Sequence, residues 1–343
     1  MFEAFVTLCL AAGGPCRVAL LPGYGADTPS ACMAALSERP PAVPEEAAGA
    51  PRCAPRPVAD LSFTEIAPGV FAHRGAIAEP DAENRGDVAN IAFVIGSEAV
   101  AVIDAGGSRA VGEAVYLAIR ARTGLPIRAL VLSHMHPDHV YGAAPLAEAG
   151  AEVVGRAGLA RALADRAVSY AEGFGSRIGA PGFLGTALPR VDREVAERTG
   201  IDLGGRVLTL EAEPTAHTAT DLIATDSATG VLFAGDLVFA EHAPALDGSL
   251  PGWQGVLGRL TARKAPLVVP GHGGPALPWP GGAAPLARYL DTLAADTRAA
   301  LAAGSPLSEA TRNIGVTEAA HWRLFDLYNA RNATAAYTEL EWE

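Results

Sequence analysis

The segment Ser133-His134-Met135-His136-Pro137-Asp138-His139 places three histidines and an aspartate within six residues. Imidazole nitrogens and carboxylate oxygens together suit zinc, with iron and manganese as less favoured occupants. A single histidine in an apolar stretch is ordinarily a satisfied core residue, but four donors this close call for a different explanation. Alternate side chains of an extended segment point the same way, so His134 and His136 can approach one ion together. Asp138 and His139 come as the chain turns, with Pro137 stiffening the turn, and they face a neighbouring position. Three further donors stand in similar settings: His217 in Thr215-Ala216-His217-Thr218, Asp236 in Ala234-Gly235-Asp236, and His272 in Pro270-Gly271-His272-Gly273. Each is expected just past a strand, where the neighbouring glycines let the backbone turn sharply and carry the side chain to the metals.

The element that must deliver the cluster is the apolar run Ile127 to Leu132, a buried strand that ends directly in it and follows a helix from about Ala110 to Thr123. Upstream, Gly69–His73, Asn90–Ile95 and Ala99–Ile103 read as consecutive strands. Downstream come a strand at Ala151–Val154, a helix at Leu159–Tyr170, and strands at Val207–Leu210, Leu222–Thr225, Val231–Phe233 and Leu267–Val269. Helices fill most of Pro285–Tyr328. A strand-rich half repeated after a helical break predicts two packed sheets with helices outside, an αββα sandwich beginning near Leu61 within a catalytic domain of residues 59–343.

Residues 1–58 read as a separate unit. Phe5–Leu10 and Arg17–Leu21 are expected strands, Ser30 caps a short helix through Leu36, and Arg39–Pro57 is a Pro/Ala-rich linker tied down by Cys53. All four cysteines, Cys9, Cys16, Cys32 and Cys53, lie in this unit, and none is spaced as a C-x-x-C zinc pair. An even number confined to a segment too small for its own core predicts two disulfides and an oxidising compartment, with three pairings open. Four reduced, buried cysteines are the competing reading. The apolar stretch Phe5–Ala12 has no basic residue before it and Glu3 where a basic region belongs. The expectation is therefore an exported, periplasmic protein whose signal peptide is absent from this chain.

Half of the 343 residues are hydrophobic, yet no apolar run reaches the ~20 residues of a membrane-spanning helix. The balance of 26 basic and 38 acidic residues gives −12, which argues against nucleic acid and other polyanions unless a local basic patch exists; no Lys/Arg cluster is visible along the chain, and a small-molecule substrate is expected.

The ordered set His134-x-His136-x-Asp138-His139, His217, Asp236, His272 resembles the metallo-β-lactamase superfamily, which includes glyoxalase II and the zinc β-lactamases, over about Ile66 to His272. The resemblance implies His134, His136 and His217 on a first metal, Asp138, His139 and His272 on a second, and Asp236 bridging. Val102-Ile103-Asp104-Ala105-Gly106 is similar to the family's early strand-turn, which implies that Asp104 orients metal ligands; a simple turn cap is the alternative. The β-lactamase subclass with a cysteine ligand has Cys at the position of Asp236, and flavodiiron relatives have Glu at that of Met135, so neither fits. The Cys-bearing unit, Asn84–Asn90, the Ala245–Ser249 loop and the Leu340–Glu343 end resemble the quinoprotein relay system zinc metallohydrolase group, related to SoxH-like proteins. That likeness implies a link to periplasmic quinoprotein or sulfur oxidation, with a quinoprotein as a candidate partner.

The function expected is that of a dinuclear zinc hydrolase in which a metal-bridging hydroxide attacks a thioester, lactone or amide and Asp138 orients the nucleophile. A mononuclear iron dioxygenase acting on a thiol or persulfide, through His134, His136, His217 or Asp236, is one alternative. A non-catalytic periplasmic protein that handles metal or cofactor is another. Of the remaining histidines, His73, His242 and His321, each is expected in a surface or satisfied structural role, with His242 also placed to line a pocket.

Overall fold

The computed structural model describes residues 1–10, 13–44 and 46–343. Ala11 and Ala12, at the end of the apolar stretch, and Glu45 in the expected linker lie outside the described residues. The chain opens with β1 (Phe2–Cys9), β2 (Cys16–Ala26), α1 (Pro29–Glu38) and β3 (Arg52–Pro55). Then follow β4 (Thr64–Ala67), β5 (Val70–His73), β6 (Ile91–Ile95), β7 (Val100–Ile103), α2 (Arg109–Arg120), β8 (Ile127–Val131), α3 (Pro137–Val140), α4 (Ala143–Glu148), β9 (Glu152–Arg156), α5 (Leu159–Ile178) and β10 (Arg193–Val195). The second half contains β11 (Arg198–Asp202), β12 (Val207–Ala212), β13 (Leu222–Asp226), β14 (Leu232–Phe239), α6 (Leu250–Thr261), β15 (Leu267–His272), β16 (Leu277–Pro278), α7 (Ala284–Ala302), α8 (Leu307–Ala310) and α9 (Phe325–Leu340).

Strands apolar on both faces must lie between two cores, and these do. In β7, Val100 and Val102 point into a core shared with α2 and α5, while Ala101 and Ile103 point into the core between the sheets. The first sheet has the order β10-β9-β8-β7-β6-β5-β4 and the second β11-β12-β13-β14-β15-β16. Leu208, Leu210, Ala224 and Phe233 of the second sheet meet Val70, Val94 and Val131 of the first. Behind the second sheet, α6, α7 and α9 pack through Trp253, Leu286, Leu290 and Ala333. The four layers are the expected αββα sandwich.

The N-terminal segment forms a three-stranded antiparallel sheet, β2-β1-β3, with α1 against it. Two disulfides, Cys9–Cys16 and Cys32–Cys53, close it and leave no free cysteine. The cap lies two residues before the expected Ser30: the helix starts at Pro29, which fits the first helical turn, and the Thr28 hydroxyl accepts from Ala31 N at 3.1 Å. The sheet docks on α2 and α4. Leu20 joins the core beneath α2, and the fully buried Arg109 donates to Leu20 O at 2.9 Å and to Glu148 at 2.6 and 2.7 Å. Arg17 forks onto Glu113 at 2.9 and 3.0 Å, and Arg56 donates to Arg120 O at 3.1 Å. Among the described residues no helix is long and apolar enough to cross a membrane.

Candidate metal centre

Four separate segments bring the seven predicted donors to one edge of the sandwich. The chain leaving β8 supplies Ser133 and His134, and His136 stands just before α3, whose first residue, Pro137, holds Asp138 and His139 in a single turn. His217 lies in the loop between β12 and β13. Asp236 and His272 differ from expectation: they lie within β14 and β15, not beyond them. The pairing of these two strands shifts register at Gly235, which bulges the strand and re-aims Asp236 without ending it. Two glycines make this possible. Gly235 has φ +51°, and a Cβ there would meet Ser133 Cβ at 2.6 Å; a Cβ on Gly271 would meet Asp236 Oδ1 at 1.8 Å.

The donors form two groups, His134/His136/His217/Asp236 and Asp138/His139/His272, each with all ligand atoms within 4.8 Å of one another. In the first, His136 Nδ1 stands 3.1 Å from His134 Nε2 and 3.0 Å from His217 Nε2. In the second, His272 Nε2 is 3.3 Å and His139 Nε2 3.7 Å from Asp138 Oδ2. Asp236 touches both groups: its Oδ2 lies 3.3 Å from His217 Nε2 and 3.4 Å from His272 Nε2, and its Oδ1 3.1 Å from His139 Nε2.

Each ring is aimed by its other nitrogen. His217 Nδ1 donates to Ala245 O at 2.6 Å and His272 Nδ1 to Val88 O at 2.9 Å; since a carbonyl only accepts, both rings turn a bare Nε2 inward. His139 Nδ1 meets Asp104 Oδ2 at 2.9 Å, and His136 Nε2 meets Asp247 Oδ2 at 3.2 Å. His134 Nδ1 is 3.0 Å from Ser133 Oγ, which itself donates to Asp104 at 2.8 Å. Asp104 thus does more than cap a turn: held at φ +60°, it accepts from Ser133 N, Ser133 Oγ and His139 together.

Burial works against charge on His217 and His134, pushing His217 down to about 3 and His134 well below its ordinary value. For His139 and His272 burial acts the same way, but Asp236, together with Asp104 on the one and Asp138 on the other, outweighs it, raising His272 to about 9 and His139 well above its usual range. His139 Nε2 and Asp236 Oδ1 are buried without a hydrogen bond. Unmet polar atoms of this kind cost about 1–3 kcal/mol each unless something binds them. Five inward lone pairs and two carboxylates, with those two atoms unmet, fit a pair of divalent ions.

A sequence profile described as the metallo-beta-lactamase superfamily matches residues 84–272, more than half of the 343-residue chain. The chain belongs to the metallo-beta-lactamase superfamily. The enzyme class expected from the sequence, a hydrolase of this superfamily, agrees with that membership. No curated protein matches the sequence. Among solved structures, a metallo-beta-lactamase from Pontibacter korlensis is 22% identical with TM-score 0.55, covering 68% of this chain and 99% of that one. The sec-alkylsulfatase Pisa1 from Pseudomonas sp. is 16% identical with TM-score 0.61 over 81% of this chain; the match spans half of the alkylsulfatase. The DIM-1 metallo-beta-lactamase is 16% identical with TM-score 0.53, covering 69% of this chain and 99% of that one. At these identities the likeness is one of fold.

A cavity of about 670 Å³ opens on the centre of this metallo-beta-lactamase-superfamily member. His242 lines it, buried, with Nδ1 donating to Ala243 O at 2.6 Å, while His73 is a satisfied structural residue between Ser62 O and Asp87 and His321 is exposed. None of the described residues of 1–58 lines the cavity, whose lining begins at Ala78, and the N-terminal sheet packs on α2 and α4. Sequence reasoning missed Asp247 as the partner of His136, and also the walls: Arg166, Tyr170, Phe174 and Arg177 from α5, with Tyr328 and Arg331 from α9. The α5 wall left a trace, a run of polar and aromatic residues at helical spacing.

Proposed function

We propose that the protein is a dinuclear zinc hydrolase acting on an ester-like bond (thioester, lactone or amide) of a small molecule in the periplasm. The observation that carries this reading is the second group, Asp138/His139/His272, aimed as carefully as the first and joined to it by Asp236. A single-iron dioxygenase would leave that group idle. His134, His136 and His217 would hold one ion, Asp138, His139 and His272 the other, with Asp236 between them. Bound there, two zinc ions supply a water acidified towards neutral pH and polarise an acyl oxygen. Asp138, half-buried and beside both the second group and the cavity, accepts a hydrogen bond from the attacking water and orients it. Asp247 keeps His136 in the tautomer that presents Nδ1.

The disulfides fit an exported protein in an oxidising environment. The resemblance of the layout to the quinoprotein relay group supports the periplasm, a quinoprotein partner and a division of the chain near residue 58. Metal analysis of protein purified from its native compartment is expected to find about two zinc ions per chain. Hydrolysis across a thioester, lactone and β-lactam panel should vanish with a chelator and return with Zn²⁺. One iron per chain, or turnover indifferent to chelation, would overturn the reading. Thiol titration of the same unfolded, unreduced protein should find no sulfhydryl; four would remove the case for export.

A further inference from the structure

Along α5 only Leu159, Leu163 and Ile178 are buried, so the helix packs at its two ends. Between them Arg166, Tyr170, Phe174 and Arg177 follow helical spacing and face the cavity at the metal centre. Outside the metal donors, the charged lining consists of three arginines, Arg166, Arg177 and Arg331, against one carboxylate, Asp247, in a chain of net charge −12. Arg177 is already engaged, donating to Glu79 at 2.6 Å, and Tyr328 donates to the same carboxylate at 2.5 Å. Arg166 is not. Its nearest carboxylate oxygen, on Asp247, is 3.8 Å away, beyond a hydrogen bond, and that oxygen already serves His136 at 3.2 Å. Arg331 forms no ion pair among the described residues while lining the same cavity. One turn beyond Arg166, the Tyr170 hydroxyl is buried without a partner.

Two arginine forks with free donors, an unanswered phenol and an aromatic wall describe a subsite for an anion with an apolar body. We propose that the cavity takes a carboxylate-bearing acyl substrate. Arg166 and Arg331 bind the carboxylate, the Tyr170 hydroxyl donates to a substrate oxygen, and Phe174 packs on the apolar part. Guanidinium forks match the planar carboxylate and hold it with charge-assisted hydrogen bonds. The inference rests on the hydrolase reading but concerns the wall, not the metals, and the two are separable by experiment.

The probes are S-acetyl mercaptoacetate, which carries a carboxylate, and its neutral counterpart S-acetyl mercaptoacetamide. In each, water adds to the acyl carbon, the carbon–sulfur bond breaks, and acetate and a free thiol are released, the thiol taking a proton. Zinc-loaded protein should cleave the anionic probe with kcat/KM at least about tenfold above the neutral one, chiefly through KM. The Arg166→Gln/Arg331→Gln double variant should bring the ratio near one with zinc content unchanged. Arg161→Gln, on the exposed side of the same helix, should keep it. A native ratio near one, or a ratio the double variant preserves, overturns the proposal. If neither thioester is cleaved, the hydrolase reading falls back on the lactone and β-lactam arms of its own panel, and binding decides the subsite. Succinate held by zinc-loaded protein at least about fivefold more tightly than by the double variant, with succinamide indifferent, sustains it; equal succinate binding refutes it.

Discussion

Five imidazoles and two carboxylates in a buried space would repel or starve one another without fixed partners, and each histidine has one. Asp104 serves His139 directly and His134 through Ser133, Asp247 serves His136, and two backbone carbonyls serve His217 and His272. Such partners set tautomer and direction, and in metal sites their loss typically weakens affinity by about 10–100-fold. Asp138 is reachable from the cavity, as are His136, Asp236 and His272, and it is the ligand carboxylate on the second group's side. His139 and His272 hold its carboxyl ionised against burial, which pushes the other way. Asp138→Asn should therefore lower kcat by at least about 100-fold while leaving the unfolding midpoint close to native, since it disturbs the nucleophile and not a core. Activity assays beside thermal unfolding check this; native rates in the variant would refute the role.

Elements obey packing over propensity where the two disagree. The segment of α6, Leu-Pro-Gly-Trp-Gln-Gly-Val-Leu-Gly-Arg-Leu-Thr, carries three glycines and a proline, a poor helix by composition. Pro251 falls in the first turn, where it is tolerated, and Ser249 caps the end by accepting from Gly252 N at 3.0 Å. Leu250, Trp253, Val256, Leu257 and Leu260 then bury one face against the second sheet. Another element-scale device sits at the end of β13. The buried Asp226 carboxylate takes both arms of Arg206 at 2.7 and 2.8 Å and the Thr229 N–H at 2.9 Å, pinning the β12 entry to the β13–β14 turn. Burial raises its pKa, but these hydrogen bonds outweigh burial and hold the group below its ordinary 3.8. A depressed folded pKa means stability that is present above 3.8 and lost as pH falls through the folded value. Asp226→Asn should cost about 2 kcal/mol at pH 7, and the gap to native should narrow below pH 4, as read from urea midpoints at both pH values. A gap that is constant with pH would deny the pair its role.

Across the whole molecule, the small N-terminal sheet is joined to the sandwich as much by ions as by apolar contact. Arg109, 1% exposed, is its hinge pin, reaching Leu20 O on one side and Glu113 and Glu148 on the other. The two disulfides span 7 and 21 residues and stabilise a unit with little core of its own, each by roughly 2–4 kcal/mol. Arg109→Met would remove the buried guanidinium's bonds to Glu113 and Glu148 and leave Leu20 O without its donor, a loss of about 1–3 kcal/mol. The expected outcome is a lower Tm and earlier proteolytic cleavage before residue 58. Since the sheet lies away from the cavity, zinc content should hold. An unchanged Tm would place the docking energy in the apolar contacts.

The sequence by itself determined what short-range geometry controls. Four donors in six residues after an apolar strand can serve little but a metal, strands apolar on both faces require layers on both sides, and four cysteines in one small unit imply internal disulfides. What required the tertiary structure were the relations closed by long loops, which local pattern does not encode. Three cysteine pairings were equivalent until β1 paired with β2 and β3, bringing Cys9 to Cys16 and Cys53 within reach of α1. Asp236 and His272 read as residues beyond strand ends because Gly235 and Gly271 resemble terminators, whereas a bulge and a close backbone approach let the strands continue through them. No basic cluster is visible along an acidic chain, yet Arg166 and Arg331, 165 positions apart, line one cavity. Side-chain periodicity fixes which face of an element is buried; only the packing of one element on another decides what that face meets.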